Sequence, residues 1–259
     1  MNNTFVVYKT LVVRALMEIK EYPSNLWAGF IANSVQILVD LLFYSIIVKL
    51  SFEILGWSFY DFSLFFFMAF FTSLFLRFFW IRNLSSFLLS GHLNILLTKP
   101  ISSYFYISVS SLRGSHIIYA GLLCTVTLIL TFVNKDYSNY ILAFFSSITG
   151  FIVQVLFINM ICSLAFFMKK NEFLFTLYYH RLNTLVEYYT PKFFEKTNFS
   201  FVMNMFPVAF ICYFFVEILN GRTQDFFYYL PYFLLFGVFC YLIIKILWYY
   251  GLKKYEAFG

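Results

Sequence analysis

The chain has 259 residues, of which 62% are hydrophobic, 25% aromatic and only 12% charged. Soluble domains carry about 45–50% apolar and about 25% charged residues, so this chain holds about half the charge needed to coat a soluble surface. A mean hydropathy of +0.80 agrees, and soluble enzyme, nucleic-acid-binding module and disordered chain are excluded as readings.

Ten Gly and five Pro in the whole chain favour long helices over coil. The apolar runs are continuous over about 20 residues, not alternating over about 10, so they predict membrane helices and not a barrel. Residues 1–24 carry apolar positions at helical spacing (Phe5, Tyr8, Val12, Ala15, Leu16, Ile19) among Lys9, Arg14, Glu18 and Lys20. That pattern predicts an amphipathic helix in the membrane interface, ended by Pro23, and no cleavable signal peptide. Six spans are expected to follow, at about Leu26–Leu50, Phe59–Ile81, Ile107–Val133, Tyr140–Met168, Phe199–Leu219 and Phe226–Tyr250. Cys124, Cys162, Cys212 and Cys240 fall inside apolar runs without a CxxC pair and read as small buried hydrophobes.

The scarce charge is sorted. With both termini on one side, that side holds fifteen of the eighteen Lys and Arg, and Lys49, Lys135 and Arg222 lie opposite. The positive-inside rule then places both termini in the cytoplasm. The expected fold is an all-α integral membrane protein, a single domain over residues 1–259 with six transmembrane helices, N-in and C-in. Its cytoplasmic connections are 82–103 and 169–198, and 219–226 forms an outer turn. No soluble domain and no internal repeat are expected.

No GxxxxGK[ST], HExxH, GxSxG or paired-carboxylate constellation occurs, so no catalytic, cofactor or metal site is predicted. In the first span Asn33, Gln36, Asp40 and Tyr44 fall at i, i+3, i+7 and i+11, on one helix face. A carboxylate at membrane depth costs about 2.5–3.5 kcal/mol, so Asp40 should face away from lipid. A polar wall along a subunit interface or pathway, and hydrogen-bonded glue between packed helices, are both open readings. Between spans two and three, an apolar stretch is interrupted by Ser90-Gly91-His92 and ended by Lys99-Pro100. A short helix there should place Leu93, Leu96 and Leu97 on one face, ready to dock. Pro207, in Phe-Pro-Val-Ala-Phe, should bend or split the fifth span. Leu219-Asn220-Gly221-Arg222 should form the hinge to the sixth.

Four stretches resemble one family, the six-span permease subunits of type-two ABC exporters, and within it a branch of bacterial ABC permeases. They are Ser90-Gly91-x-Leu93-x-x-Leu96-Leu97-x-x-Pro100, the proline-centred Phe206–Phe210, the closing Trp248–Gly259, and the N-terminal amphipathic helix. In the closing stretch Ala257 stands where the family often has Ser. The resemblance implies a prokaryotic cell-membrane protein that pairs with a second permease subunit, related or identical. It implies a separate cytoplasmic ABC ATPase dimer that carries ATP–Mg, with no cofactor bound by this chain and no nucleic-acid partner. It implies an ATPase-coupling contact at His92, Leu93, Leu96, Leu97, Lys99 and Pro100. It further implies a pathway or dimer interface at Asn33, Gln36, Asp40, Tyr44 and Pro207, and an outer gate at Leu219, Asn220, Gly221 and Arg222.

The leading expectation is therefore the membrane half of an ATP-driven exporter. A stand-alone secondary carrier or channel would favour an internal repeat. A membrane-embedded enzyme would need His, Asp or Glu clustered at one leaflet.

Overall fold

In a computed structural model, residues 2–99, 102–110, 112–133, 138–168, 174, 176–178, 190–194, 197 and 199–255 are described. Among them every regular element is helical and no strand occurs. The N-terminal helix α1 runs Asn2–Glu21. Pro23 opens α2 (Pro23–Leu55), where its missing N–H costs nothing. Helix α3 (Phe59–Leu76) starts at a capping box: Ser58 and Asp61 satisfy each other's backbone amides. Three short helices follow, α4 (Leu84–Leu89), α5 (His92–Leu97) and α6 (Ser103–Ser110). Then come α7 (Gly114–Val133) and α8 (Tyr140–Ser163). The C-terminal part holds α9 (Ser200–Met205), a π-helical turn Ala209–Tyr213, α10 (Phe214–Leu219) and the long α11 (Gln224–Lys254).

Among the described residues, four helical stretches are long and apolar enough to cross a membrane: Phe59–Leu76, Gly114–Val133, Tyr140–Phe166 and Gln224–Lys254. Two shorter apolar stretches stand beside them, Leu26–Val39 in α2 and Ala209–Leu219. Two expected boundaries change. The third span starts at Gly114 and not at Ile107, because Ile107 belongs to α6 and the chain leaves the helix at Leu112-Arg113. The second span closes at Leu76, and the chain turns through Arg77–Ile81 instead of continuing as helix.

The fifth segment, Phe199–Leu219, is split at Pro207, as a proline inside it predicts. Phe206 is extended (φ −65°, ψ 133°), and Pro207 begins a new helical piece. Proline removes an i→i−4 bond, so the chain breaks before it. The piece from Pro207 to Leu219 is then buried at every residue. It forms the centre of the molecule, packed by α3, α8 and α11. Phe210 stacks on Phe233 of α11 at 3.6 Å, and Trp57 and Phe62 close the outer flank. Lipid is as apolar as this core, so packing and hydrogen bonds hold it rather than hydrophobic transfer. Ser146 and Ser147 of α8 donate to the carbonyls of Phe210 (2.6 Å) and Ile211 (2.8 Å) inside the π turn. One turn on, Gly150 lets the two backbones meet, since a Cβ there would lie 2.7 Å from Ile211 Cγ1.

The outer helices have the opposite character. In α2, Trp27, Ile31, Leu38, Leu42 and Ile46 are each at least 60% exposed, and α11 presents Leu235, Val238 and Phe239 outward. Helix α1 is seated on α6 and α7, where Ala15 is buried with Val109 and Leu112. Gly114 makes that seat possible, because a Cβ there would come 2.1 Å from the Ala15 carbonyl.

Candidate functional site

Two regions gather the predicted functional residues, at opposite ends of the bundle. The first is the α4–α6 connection. Gly91 takes the left-handed conformation (φ 70°) that turns α4 into α5, which accounts for glycine in the Ser90-Gly91 pair. Leu93 and Leu96 are buried among Leu76, Trp80, Ile81, Leu84 and Leu88. They anchor α5 to the bundle. Leu97 is 47% exposed, and Ile95, which the spacing argument did not single out, is 55% exposed. The expectation that Leu93, Leu96 and Leu97 share one docking face is thus corrected: two hold the helix from beneath, and His92, Ile95, Leu97 and Lys99 face outward. Pro100 lies outside the described residues.

Asn159 of α8 ties this region to the spans. Its Oδ1 accepts from the Ile81 amide, and its Nδ2 donates to the Phe79 carbonyl and the Tyr104 hydroxyl, each at 2.8 Å. Burial pushes the Tyr104 hydroxyl up to about 12, so it stays neutral and keeps its proton to donate. Tyr104 also packs edge-on against Trp248, whose indole N–H donates to Ser163. The C-terminal motif therefore closes over the same connection. Sequence reading missed Asn159; its signal was an amide, one of two with Gln154, in the apolar run of the fourth span.

The second region is the turn between α10 and α11. Gly221 has φ 79°, which only glycine adopts without strain, and the chain reverses there between α10 and α11. The turn is bound on all sides. Arg222 pairs with Glu217 (3.1 Å) and reaches the Gly56 carbonyl. Glu217, 5% exposed, also accepts from the Trp57 indole at 2.5 Å. Asn220 donates to Asp61 (3.1 Å), which is itself held by Ser58. The Leu219 carbonyl accepts from the Ser138 amide at 2.9 Å. Three connections thus converge on residues 219–222: the turn itself, the α2–α3 loop and the start of α8. Trp57, Asp61 and Glu217 were not predicted as partners. A cavity of about 430 Å³ opens beside the turn, between Tyr213 and Asp225.

The polar stripe of α2 is not gathered into a site. Asn33 is half-buried and Gln36 exposed; the side chains of Asp40 and Tyr44 lie outside the described residues. Pro207 is buried in the core instead of lining a surface. The connection 169–198 and the last four residues lie largely outside the described residues. No group of three or more His, Cys, Asp or Glu among the described residues could hold a metal ion.

No curated protein and no solved structure matches the chain. A family model described as "ABC-2 family transporter protein" matches residues 34–259, from within α2 through the closing motif. With apolar spanning helices, no nucleotide loop in its sequence and a family match over most of its length, the chain belongs to the ABC-2 transporter family, as a multi-pass membrane permease.

Proposed function

We propose that this permease is the membrane-spanning subunit of an ATP-driven exporter, working as a dimer with a second permease subunit and driven by a separate cytoplasmic ATPase. The observation that carries this reading is the build of α5. Two buried leucines fix a six-residue helix at one end of the bundle, leaving apolar Ile95 and Leu97 beside His92 and Lys99 on its outer side. A rigid, small, outward-facing helix of this kind can take up a push from a soluble partner and pass it to α3 and α8 through Asn159.

The topology in this reading has six crossings with both termini cytoplasmic, in the plasma membrane of a prokaryote. The charge asymmetry supports it, and so does α2, whose 33 residues reach about 50 Å at 1.5 Å per residue. The exposed apolar face of α2 supports a partner subunit or lipid against the first span. The bound turn at 219–222 is then the outer gate.

The test is co-purification. The chain should be expressed with its cognate ATPase and captured through a tag on either subunit. Ile95→Asp and Leu97→Asp should abolish capture while membrane insertion and yield of the permease stay as in wild type. Unchanged capture by both variants would remove α5 from the docking contact.

A further inference from the structure

A second feature of these connections is one to which α5 contributes no residue. A cavity of about 850 Å³ lies between α1, the turn after α3, α6 and the start of α7. Its wall carries Arg14, Arg77, Arg82, Arg113 and His116, against the carboxylates of Glu18 and Glu21. Four guanidinium groups at one cavity are a large share of a chain that has only 18 basic residues. Among the described residues neither carboxylate lies within ion-pair distance of Arg14, Arg77 or Arg113.

The pairing of Arg77 with His116 sharpens the charge. Arg77 Nη1 lies 2.6 Å from His116 Nε2. Arginine can only donate, so Nε2 must accept, and the ring proton is therefore on Nδ1. His116 Nδ1 and Arg77 Nε are buried and have no acceptor in the protein. Both unmet groups are donors, belonging to residues that line the same cavity. The wall thus sets four guanidinium groups against two carboxylates, a balance of charge that suits an anion with several oxygens. Guanidinium forks match phosphate oxygens two at a time. The cavity borders the amphipathic helix, whose Val13, Leu16 and Met17 are exposed. That position is where lipid headgroups meet a membrane protein.

We propose that this cavity binds a phosphate group, presented by an anionic lipid headgroup or by a free anion, and that binding fastens α1 to α6 and α7. The proposal stands apart from transport and from the ATPase, so it can fail while the exporter reading holds.

Native mass spectrometry of the full-length permease in detergent tests it. Phosphatidylglycerol, phosphatidylcholine and inorganic phosphate should be titrated separately. Wild type should retain phosphatidylglycerol or phosphate, and Arg113→Gln and Arg14→Gln, both exposed changes, should each weaken retention about tenfold. Arg77→Gln should weaken it further, and Lys245→Gln, which removes an exposed charge elsewhere, should not. Retention of the lipid alone assigns the site to a headgroup; retention of phosphate as well assigns it to the phosphate group itself. Equal retention of phosphatidylcholine and phosphatidylglycerol with no response to phosphate, or equal retention by all variants, would overturn the proposal.

Discussion

Replacing Asn159 with leucine should loosen the whole α4–α6 connection while leaving the spans in the membrane. Leucine keeps the same branched heavy-atom skeleton, so the change removes the amide without opening a cavity. Three groups then lose their partner: the Ile81 N–H, the Phe79 carbonyl and the Tyr104 hydroxyl. Hydrogen bonds between membrane helices average about 0.6 kcal/mol, and an orphaned buried group costs about 1–3 kcal/mol. Three such groups place the loss at about 2–9 kcal/mol, from the lower figure to the upper. Amide exchange reads it where it acts. Peptides covering residues 79–84 should lose at least about 30-fold in protection, the factor that corresponds to the lower bound. Peptides from α11 should be unchanged. Wild-type protection at residues 79–84 in Asn159→Leu would refute the claim that this amide holds the connection.

The turn at 219–222 and the core offer two further predictions. Arg222→Ala leaves the buried Glu217 carboxylate with the Trp57 indole alone; because the Arg222 side chain is 44% exposed and its pairing screened, the loss should be about 1–2 kcal/mol, below that of a fully buried pair. Glu217→Gln, which keeps an acceptor for Trp57, should shift the unfolding midpoint less than Arg222→Ala in a denaturation series; the reverse order would refute the charge pairing. Gly150→Val should lower the apparent melting temperature, because its Cβ would meet Ile211 at 2.7 Å and backbone must move, an overpacking cost of about 1–3 kcal/mol or more. Gly121→Ala, with nothing within 4 Å, serves as the neutral comparison at the same scan rate, and equal midpoints for the two variants would refute the close approach.

Much of the helical order is written in local pattern. The amphipathic spacing of residues 5–19, the Pro23 boundary, the Ser90-Gly91 turn and the Asn220-Gly221 reversal each depend on neighbours in sequence, and each is found where that pattern puts it. Hydropathy misleads where an apolar run says how much grease is present but not what it faces. Phe199–Leu219 and Phe226–Tyr250 look alike on that measure. One breaks at Phe206 and only its part from Pro207 on is the buried centre, and the other is a peripheral helix with much of its surface exposed. The polar contacts escape for a different reason. Glu217 meets Trp57 across 160 positions and Asn159 meets Ile81 across 78, distances at which sequence periodicity carries no signal. The Leu93–Leu97 face failed on short length, since a helix of under two turns can seat only one side, and the bundle takes Leu93 and Leu96.

The serine pair on α8 has a mechanical consequence. Ser146 and Ser147 are adjacent, and they grip adjacent carbonyls, Phe210 and Ile211, of the π turn. Sliding that segment along α8 by a single residue would break both contacts at once, with Gly150 already filled by Ile211. The two elements are therefore meshed like teeth and travel as one body. The helical path breaks instead at the extended Phe206, just ahead of Pro207, where the chain leaves the meshed pair.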